Sequence, residues 1–233
     1  MKSILNALFE AAIENDLCYK NPAKHSTFRS TAVKHEKQVL TDEQIQTTKN
    51  FACGRMPEVI VLLETGLRRG ELLGLMWSDL DEQSGTIRVQ RSMALKNKRV
   101  VANPPKWNSF RTLPLSDEAL QVIRAQPHGS LYIFPNEHGR PHSPYSWSQK
   151  LGRFMRDLHA AHPEVPTLTA HELRHTYGTY LRRHGVDIYT IQKLLGHKDI
   201  QITTEVYVHN EIDQLRSALR PVYAPEAAQE SAE

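Results

Sequence analysis

The stretch TAHELRHTYGTYLRRHGVDIYTIQKLLGHKDI, residues 169–200, carries the start and stop signals of two consecutive helices. Thr169 followed three residues later by Glu172 is a capping-box signature, so we expect a helix to begin at this point. Gly185 is placed to end that helix. The apolar residues between Gly185 and Gly196 predict a second, short helix that stops at Gly196.

Similar signals predict helices and strands along the rest of the chain. Apolar residues at spacings of three and four, N-cap residues and terminal glycines or prolines indicate the helices, and short alternating segments indicate strands. The predicted helices cover residues 4–21, 57–66, 69–77, 116–125, 144–161 and 213–219, with others after Thr41 and around Tyr207, and the predicted strands cover residues 86–90, 99–102 and 111–115. The expected fold class is mainly α with a small antiparallel β-sheet, an α+β domain.

Composition divides the chain into four parts. Residues 1–21 form one amphipathic helix that should end at Asn21-Pro22. Residues 22–39 lack apolar periodicity and hold basic, serine and threonine residues, which is typical of a linker. Residues 40–222 contain the other predicted elements and form the main domain. Residues 223–233 are rich in alanine, glutamate and glutamine, so we expect a disordered tail.

The overall composition is ordinary for a globular protein of 233 residues, with 39% hydrophobic and 24% charged residues. No apolar run approaches the roughly 20 residues that are needed to span a membrane. The N-terminal stretch has no small-residue cleavage site of the kind found in signal peptides. Cys18 and Cys53 are the only cysteines, which is too few for a disulfide framework or a zinc cluster. We therefore expect a cytoplasmic protein.

Basic residues are concentrated in two blocks of the chain. The formal net charge is +3, which by itself says little about a partner. Residues 19–39 hold five lysines or arginines against one glutamate, and residues 86–116 hold seven with no acidic residue. Each block could be a solvated basic surface. Because the blocks flank the candidate site described next, they favour a phosphate-backbone partner.

Six polar residues in five short motifs form the candidate site. The motifs are TGLRRGEL (65–72), PPKWNSFRTLPL (104–115), HELRH (171–175), LLGHKDI (194–200) and TTEVYVH (203–209). Their candidate residues are Arg68, Lys106, His171, Arg174, His197 and Tyr207. Together these side chains can bind a phosphodiester, stabilise additional negative charge on it and attack it with a side-chain oxygen.

Each candidate also has a plain structural explanation when it is taken alone. Arg68, predicted at a turn between helices, could pair with Glu71 or Glu64, although its fixed fork also suits two phosphate oxygens. His171 and Arg174 share one face at a helix N-terminus, where partial positive charge favours a phosphate. Tyr207 could simply pack in the core. Only the combination of motifs separates these alternatives.

The HELRH segment also satisfies the zinc metalloprotease pattern H-E-x-x-H, with His171 and His175 as the paired ligands. Leu181 occupies the position of the third ligand in the long form of that motif and cannot bind zinc. A protease interpretation leaves the other motifs unexplained, and Glu172 already has a role in the capping box. We therefore expect no metal at this segment.

The five motifs, in this order over roughly residues 40–210, resemble those of the tyrosine recombinase (phage integrase) family. The resemblance implies that Tyr207 attacks a DNA phosphate and forms a 3′-phosphotyrosyl bond, without metal or nucleotide cofactor. It also implies the other roles. Arg68, Arg174 and His197 would bind the phosphate, His171 would accept the tyrosine proton, and Lys106, on a β-hairpin turn, would protonate the leaving oxygen. Lys96 and Lys98 in the preceding turn are alternatives to Lys106.

The function implied by the resemblance is site-specific recombination or integration of double-stranded DNA by a mobile element or prophage. The protein would then be a monomer in solution and a tetramer on synapsed DNA. Residues 1–21 would be the remnant helix of a core-binding domain, and residues 40–222 the catalytic domain. Two alternatives stay open: a catalytically silent DNA-binding regulator and a type IB topoisomerase-like enzyme.

Overall fold

A computed structural model describes residues 2–24 and 38–196. The chain divides into two compact units, residues 1–36 and 37–233. In the first unit, helix α1 spans Lys2–Glu14. It ends earlier than the predicted Asn21 because Asp16 adopts a left-handed φ of 55° and the Leu17 N–H donates to the Ala12 carbonyl at 2.9 Å. This bond closes the last turn in the manner of a Schellman motif.

Seven helices belong to the described part of the second unit. They are α2 (Asp42–Ala52), α3 (Pro57–Thr65), α4 (Arg69–Leu72), α5 (Asp117–Arg124), α6 (Pro144–Ala161), α7 (Ala170–Arg183) and α8 (Ile188–Leu195). The capping boxes predicted at Thr41 and Thr169 are both present. Gly66 and Gly196 end α3 and α8 in the left-handed conformation, as their sequence positions predicted.

The strands form two small antiparallel sheets between α4 and α5. They are β1 (Leu80–Asp81), β2 (Thr86–Val89), β3 (Ser92–Lys96), β4 (Arg99–Asn103) and β5 (Arg111–Pro114). One sheet has the order β1-β2-β5, with Ile87 opposite Leu113, and the other is the β3-β4 hairpin. The three predicted strands are confirmed. The predictions missed β1 and β3, which have little alternation in their sequences.

The predicted helix over residues 69–77 was too long, since α4 ends at Leu72. The backbone after α4 is extended because it pairs with another segment. The Leu75 carbonyl accepts the Ile133 N–H at 3.0 Å, and the Trp77 N–H donates to the Leu131 carbonyl. The Asp79 carboxylate then accepts the Met76 N–H at 2.9 Å and starts a short 3-10 turn at Trp77–Asp79. Backbone pairing with the segment at Leu131–Ile133 is therefore favoured over continuation of the helix.

The hydrophobic core of the second unit is built around α3, whose residues Val59–Leu63 are all buried. One apolar face of α6 is buried as well; it consists of Trp147, Leu151, Phe154 and Leu158. This core holds α3 and α7 against each other, so the ends of both helices are fixed. Within residues 2–24 and 38–196, every helix is too short or too polar to cross a bilayer.

Candidate active site

Glu71 in α4 lies at the centre of the candidate site. Its carboxylate is fully buried and accepts hydrogen bonds from Arg68 Nη1 at 2.8 Å and from the Arg68 backbone N–H at 2.9 Å. Arg111 in β5 donates to the same carboxylate through Nη2 at 2.8 Å and Nη1 at 3.2 Å. Arg174 Nη1 lies 3.9 Å from Glu71 Oε2. Three arginines thus surround one carboxylate, and the group has an excess of positive charge.

Arg68 and Arg174 also bind the C-terminal end of α8. Arg68 Nη2 donates to the Gly196 carbonyl at 3.0 Å, and Arg174 Nη2 donates to the Leu195 carbonyl. The last carbonyls of a helix have no partner within the helix, so cations are favoured at that end. Two arginines that are 106 positions apart therefore meet at the carbonyls of two consecutive residues.

The turn at Gly66 positions the backbone that leads into the arginine cluster. Gly66 has a φ of +60°, and a Cβ atom there would lie 2.3 Å from the Tyr177 ring, so only glycine fits. Its carbonyl accepts Arg174 Nη1 at 2.8 Å. The close approach of α3 to α7 thereby aligns the backbone before Arg68 with the buried Arg174 side chain.

The charge state of Glu71 follows from its neighbours. Burial alone would raise the pKa of the carboxyl group, because it removes water from the charged form. The hydrogen bonds and charge of Arg111, together with the charge and backbone N–H of Arg68, outweigh burial and lower the pKa of Glu71 below its usual value. Glu71 is therefore ionised at neutral pH and acts as a fixed anion between the arginines.

Lys106 lies in a short 3-10 turn, Lys106–Asn108, that connects β4 to β5. This differs from the predicted hairpin turn: the hairpin between β3 and β4 turns at Asn97 and Lys98 instead. Lys106 is exposed, and its Nζ atom lies 5.5 Å from the centre of the Trp107 ring. The turn approaches the arginine cluster through Ser109, whose Oγ atom is 3.5 Å from Arg68 Nη1.

His171 lies in the first turn of α7, three residues before Arg174, and is exposed. Its Nε2 atom is 2.9 Å from Nε2 of the buried His175. One ring therefore donates and the other accepts, which leaves His171 Nδ1 as the nitrogen turned away from this bond. Among the residues that the structure describes, no group of three or more His, Cys, Asp and Glu side chains is placed to hold a metal ion.

His197 and Tyr207, together with the predicted helices beyond them, lie outside the described residues. Tyr177 is the tyrosine that lies against Gly66, whose carbonyl binds Arg174. Burial, aided by the charge of Glu64, raises the pKa of Tyr177 to about 12, which makes its hydroxyl a poor nucleophile. Tyr189 is exposed on α8.

A family model described as the phage integrase family matches residues 37–213, most of the chain. The chain belongs to that family. The match begins just before α2 and includes all the arginines of the cluster around Glu71. It also extends over the sequence that contains His197 and Tyr207.

Individual members of the phage integrase family agree with this assignment. A tyrosine recombinase XerC-like protein of Caldanaerobacter subterraneus is 29% identical, with 90% of this chain and 61% of that protein covered. The integrase of transposon Tn1549, solved in complex with transposon right-end DNA, is 27% identical with a TM-score of 0.80, covering 96% of this chain and 78% of that one. The chain thus spans about three fifths of the length of its curated relative.

The fold is also shared with a more distant solved structure. This chain superposes on one chain of a λ integrase tetramer bound to a Holliday junction with a TM-score of 0.64. The two sequences are 21% identical, and the match covers 88% of this chain and 57% of that one. This likeness shows the mainly helical fold with small antiparallel sheets. The predicted fold class is therefore confirmed.

Sequence reasoning missed Arg111 as a member of the cluster. Its motif, RTLPL, indicated only a strand, and Arg111 counted as one of several basic residues in the block 86–116. A usable signal was present, because Arg111 is the first residue of a strand whose alternate positions are apolar. Such a residue is held beside the core, where a charge needs a partner.

Proposed function

We propose that the chain cuts and rejoins double-stranded DNA through a 3′-phosphotyrosyl intermediate, as a site-specific recombinase of a mobile element or prophage. The observation that carries this proposal is the meeting of Arg68, Arg111 and Arg174 around the ionised Glu71. Three positive charges against one negative charge, held in fixed positions, suit the negative charge that develops on a phosphate during attack. Family membership supports the same chemistry.

In the proposed mechanism, the Tyr207 hydroxyl gives its proton to His171, and its oxygen forms a bond to phosphorus. The bond between phosphorus and the 5′ oxygen breaks, and Lys106 gives a proton to that oxygen. Arg68, Arg174 and His197 bind the non-bridging oxygens. Because the phosphotyrosyl bond retains the energy of the phosphodiester, a different 5′-hydroxyl can reverse the step, which exchanges strands without metal or nucleotide cofactor.

The fixed geometry explains why arginine suits the two phosphate-binding positions. A guanidinium group stays charged and offers five donors in a planar fork, so it can bind backbone carbonyls with some donors and phosphate oxygens with others. Arg174 already uses Nη1 and Nη2 to bind Gly66 and Leu195. These bonds hold its charge in place before DNA arrives, so no reorganisation is needed during the reaction.

The proposal includes the partners and the division of the chain. Residues 40–222 would be the catalytic domain and residues 22–39 a basic linker that contacts the phosphate backbone. Residues 1–21 would supply one helix of a core-binding domain. Strand exchange between two duplexes needs four coordinated cleavages, so we propose a tetramer on synapsed DNA and a monomer without it. Activity on element DNA would place the protein in the cytoplasm.

The nucleophile assignment is tested with a nicked DNA substrate that loses a short fragment after cleavage and so traps the covalent complex. Tyr207→Phe should keep DNA binding and lose the trapped complex entirely. Tyr189→Phe, an exposed tyrosine in α8, is the matched control and should trap DNA like the wild type. The wild-type protein should also form the trapped covalent complex in the presence of EDTA.

Three outcomes would contradict the proposal. A Tyr207→Phe protein that still traps DNA would show that another residue is the nucleophile, and peptide mapping of the adduct would identify it. Wild-type protein that binds the DNA but never becomes attached would favour the silent regulator. Relaxation of supercoiled DNA without strand exchange would favour the topoisomerase-like alternative.

A further inference from the structure

We infer that Arg111 is a positioning residue for the proposed reaction: it neutralises Glu71, so that Arg68 stays available to phosphate, and it anchors the end of α8 from which the chain continues to His197. The inference rests on the proposed function, because it concerns the same site. It adds a residue that the motifs did not assign.

Arg111 connects three segments from a nearly buried position. Its side chain is 8% exposed, and both terminal nitrogens donate to Glu71 Oε1 and Oε2. The Arg111 Nε atom donates to the Leu194 carbonyl at 2.8 Å, and Nη1 lies 3.3 Å from the Ser109 carbonyl. One side chain thus joins the end of α8, the carboxylate in α4 and the residue that follows the Lys106 turn.

The charge balance gives Arg111 its first role. Arg68 and Arg111 share a single carboxylate through hydrogen bonds, and Arg111 makes two of the bonds to its oxygens. If Arg111 were absent, Glu71 would pair with Arg68 alone, apart from the more distant Arg174. A carboxylate with one close partner draws that guanidinium into a tighter pair and lowers the positive potential that a phosphate meets. The cluster would also lose half of its excess positive charge.

The end of α8 gives Arg111 its second role. The carbonyls of three consecutive residues are each bound by a different arginine: Leu194 by Arg111, Leu195 by Arg174 and Gly196 by Arg68. A Cβ atom on Gly196 would lie 3.0 Å from Arg111 Nη1 and 3.2 Å from the Ser109 Cβ atom. The guanidinium therefore packs directly against the residue that precedes His197, and its removal would free this end of the helix.

A purely structural role for Arg111 is the competing explanation, and Arg91 supplies the matched control. Arg91 binds the buried Asp79 with both terminal nitrogens and also binds the Gly74 carbonyl. Neither partner is a proposed site residue. Replacing either arginine with methionine should lower the free energy of unfolding in a similar way, because each change leaves a buried carboxylate with fewer partners.

The experiment measures single-turnover cleavage of the nicked substrate at saturating DNA, together with DNA affinity and urea unfolding, for the full chain. At a temperature where all variants are folded, Arg111→Met should cleave roughly a hundredfold more slowly, because misplacing reacting groups by about an ångström costs this much. Its DNA dissociation constant should change by less than about threefold. Arg111→Lys should lie between Arg111→Met and the wild type. Arg91→Met should cleave like the wild type.

A double variant separates charge balance from simple disruption. Glu71→Gln added to Arg111→Met removes the carboxylate that would otherwise hold Arg68, so cleavage should recover by roughly tenfold relative to Arg111→Met alone. A structural role predicts a further loss or no change.

Three results decide the inference. If wild-type protein does not cleave, the proposed function fails, and the inference that depends on it fails with it. If the wild type cleaves and Arg111→Met and Arg111→Lys cleave at the wild-type rate, Arg111 has no positioning role although the function stands. If Arg91→Met loses as much cleavage as Arg111→Met, the loss reflects general destabilisation, and the inference is overturned.

Discussion

The arginine cluster around Glu71 and the turn that carries Lys106 supply the same proposed reaction but are built in opposite ways. The cluster is mostly buried, with only Arg68 partly exposed, and its arginines make multiple hydrogen bonds to backbone carbonyls and to one carboxylate. The turn is exposed, and Trp107 and Asn108 both have left-handed φ values, 64° and 52°. Trp107 on this turn is 63% exposed, and Phe110, two residues after the turn, is 58% exposed.

The difference matches the two kinds of chemistry that are needed. Charge stabilisation works best when the donors are fixed before the substrate binds, because no free energy is then spent on reorganisation. A proton donor must instead reach a leaving oxygen that is present only when DNA is bound. Holding the Lys106 side chain in one position in the free protein would therefore not assist proton transfer. Left-handed backbone at a tryptophan costs about 1–2 kcal/mol, and such strain tends to persist at functional positions.

The largest expected effect comes from removing the charge at the centre of the cluster. Glu71→Gln should lower the free energy of unfolding at pH 7 by about 3 kcal/mol, since one partner of a buried ion pair is lost. The folded state lowers the pKa of Glu71, so its stabilising contribution is complete above the usual glutamate pKa of about 4.3 and is lost as pH falls through the lowered pKa. Urea unfolding from pH 7 to pH 3 measures the difference.

The difference in stability between the wild type and Glu71→Gln should therefore narrow below about pH 4. Glu82→Gln is the matched control, since Glu82 pairs with Arg124 on the surface at 2.8 Å, and it should change stability by less than about 0.5 kcal/mol. A constant difference at every pH would mean that the cluster does not depend on the ionised carboxylate.

The second-largest expected effect concerns the exposed turn that carries Lys106. It should appear in the cleavage rate but not in the free energy of unfolding. Lys106→Ala should slow cleavage roughly a hundredfold, which is typical for loss of a general acid, with little change in unfolding. A substrate with sulfur in place of the bridging 5′ oxygen should restore the rate, because a thiolate leaves without protonation. Gel analysis of single-turnover reactions on both substrates gives the comparison.

Lys98→Ala serves as the control for Lys106→Ala, since Lys98 lies in the β3-β4 turn. It should cleave both substrates like the wild type. Loss of cleavage in Lys98→Ala with rescue by sulfur would move the general acid to the hairpin. Loss without rescue in Lys106→Ala would assign Lys106 to DNA binding instead of proton transfer.

The sequence predicted best those features that depend on residues close together in the chain. Thr169 and Glu172 are three residues apart, and Gly196 directly follows the last apolar residue of α8, so both helix ends could be located. Arg111 meets Leu194 and Glu71 across 83 and 40 positions. Such contacts depend on how the sheet packs against α8. The apolar alternation after Arg111 indicates that its charge needs a partner, but it does not indicate which distant residues supply that partner.

The position of Lys106 shows the same limit. Its motif indicated a turn before a strand, which is confirmed, but not which strands the turn connects. β4 pairs with β3 while β5 pairs with β2, so the turn joins two sheets instead of two paired strands. The choice depends on pairing between residues that are distant in sequence, such as Ile87 with Leu113. Local turn chemistry does not contain that information.

The smallest expected effect concerns the hairpin turn between β3 and β4. Like the Lys106 turn, it holds two consecutive left-handed residues. Asn97 and Lys98, with φ values of 49° and 62°, connect the paired residues Lys96 and Arg99. A two-residue hairpin turn of type I′ requires positive φ at both positions, and Asn-Gly is a strongly preferred sequence there. Lys98→Gly should therefore raise the free energy of unfolding by about 0.5–1 kcal/mol, because glycine adopts this conformation without steric cost.

Urea unfolding and single-turnover cleavage together complete the comparison. Lys98→Gly should be slightly more stable than the wild type and equally active, since the hairpin strain follows only from the two-residue connection. Lys98→Ala, which keeps a Cβ atom, should show no gain in stability. If Lys98→Gly slowed cleavage while stabilising the fold, the left-handed strain of the hairpin would belong to the reaction, and the contrast between the two turns would be lost.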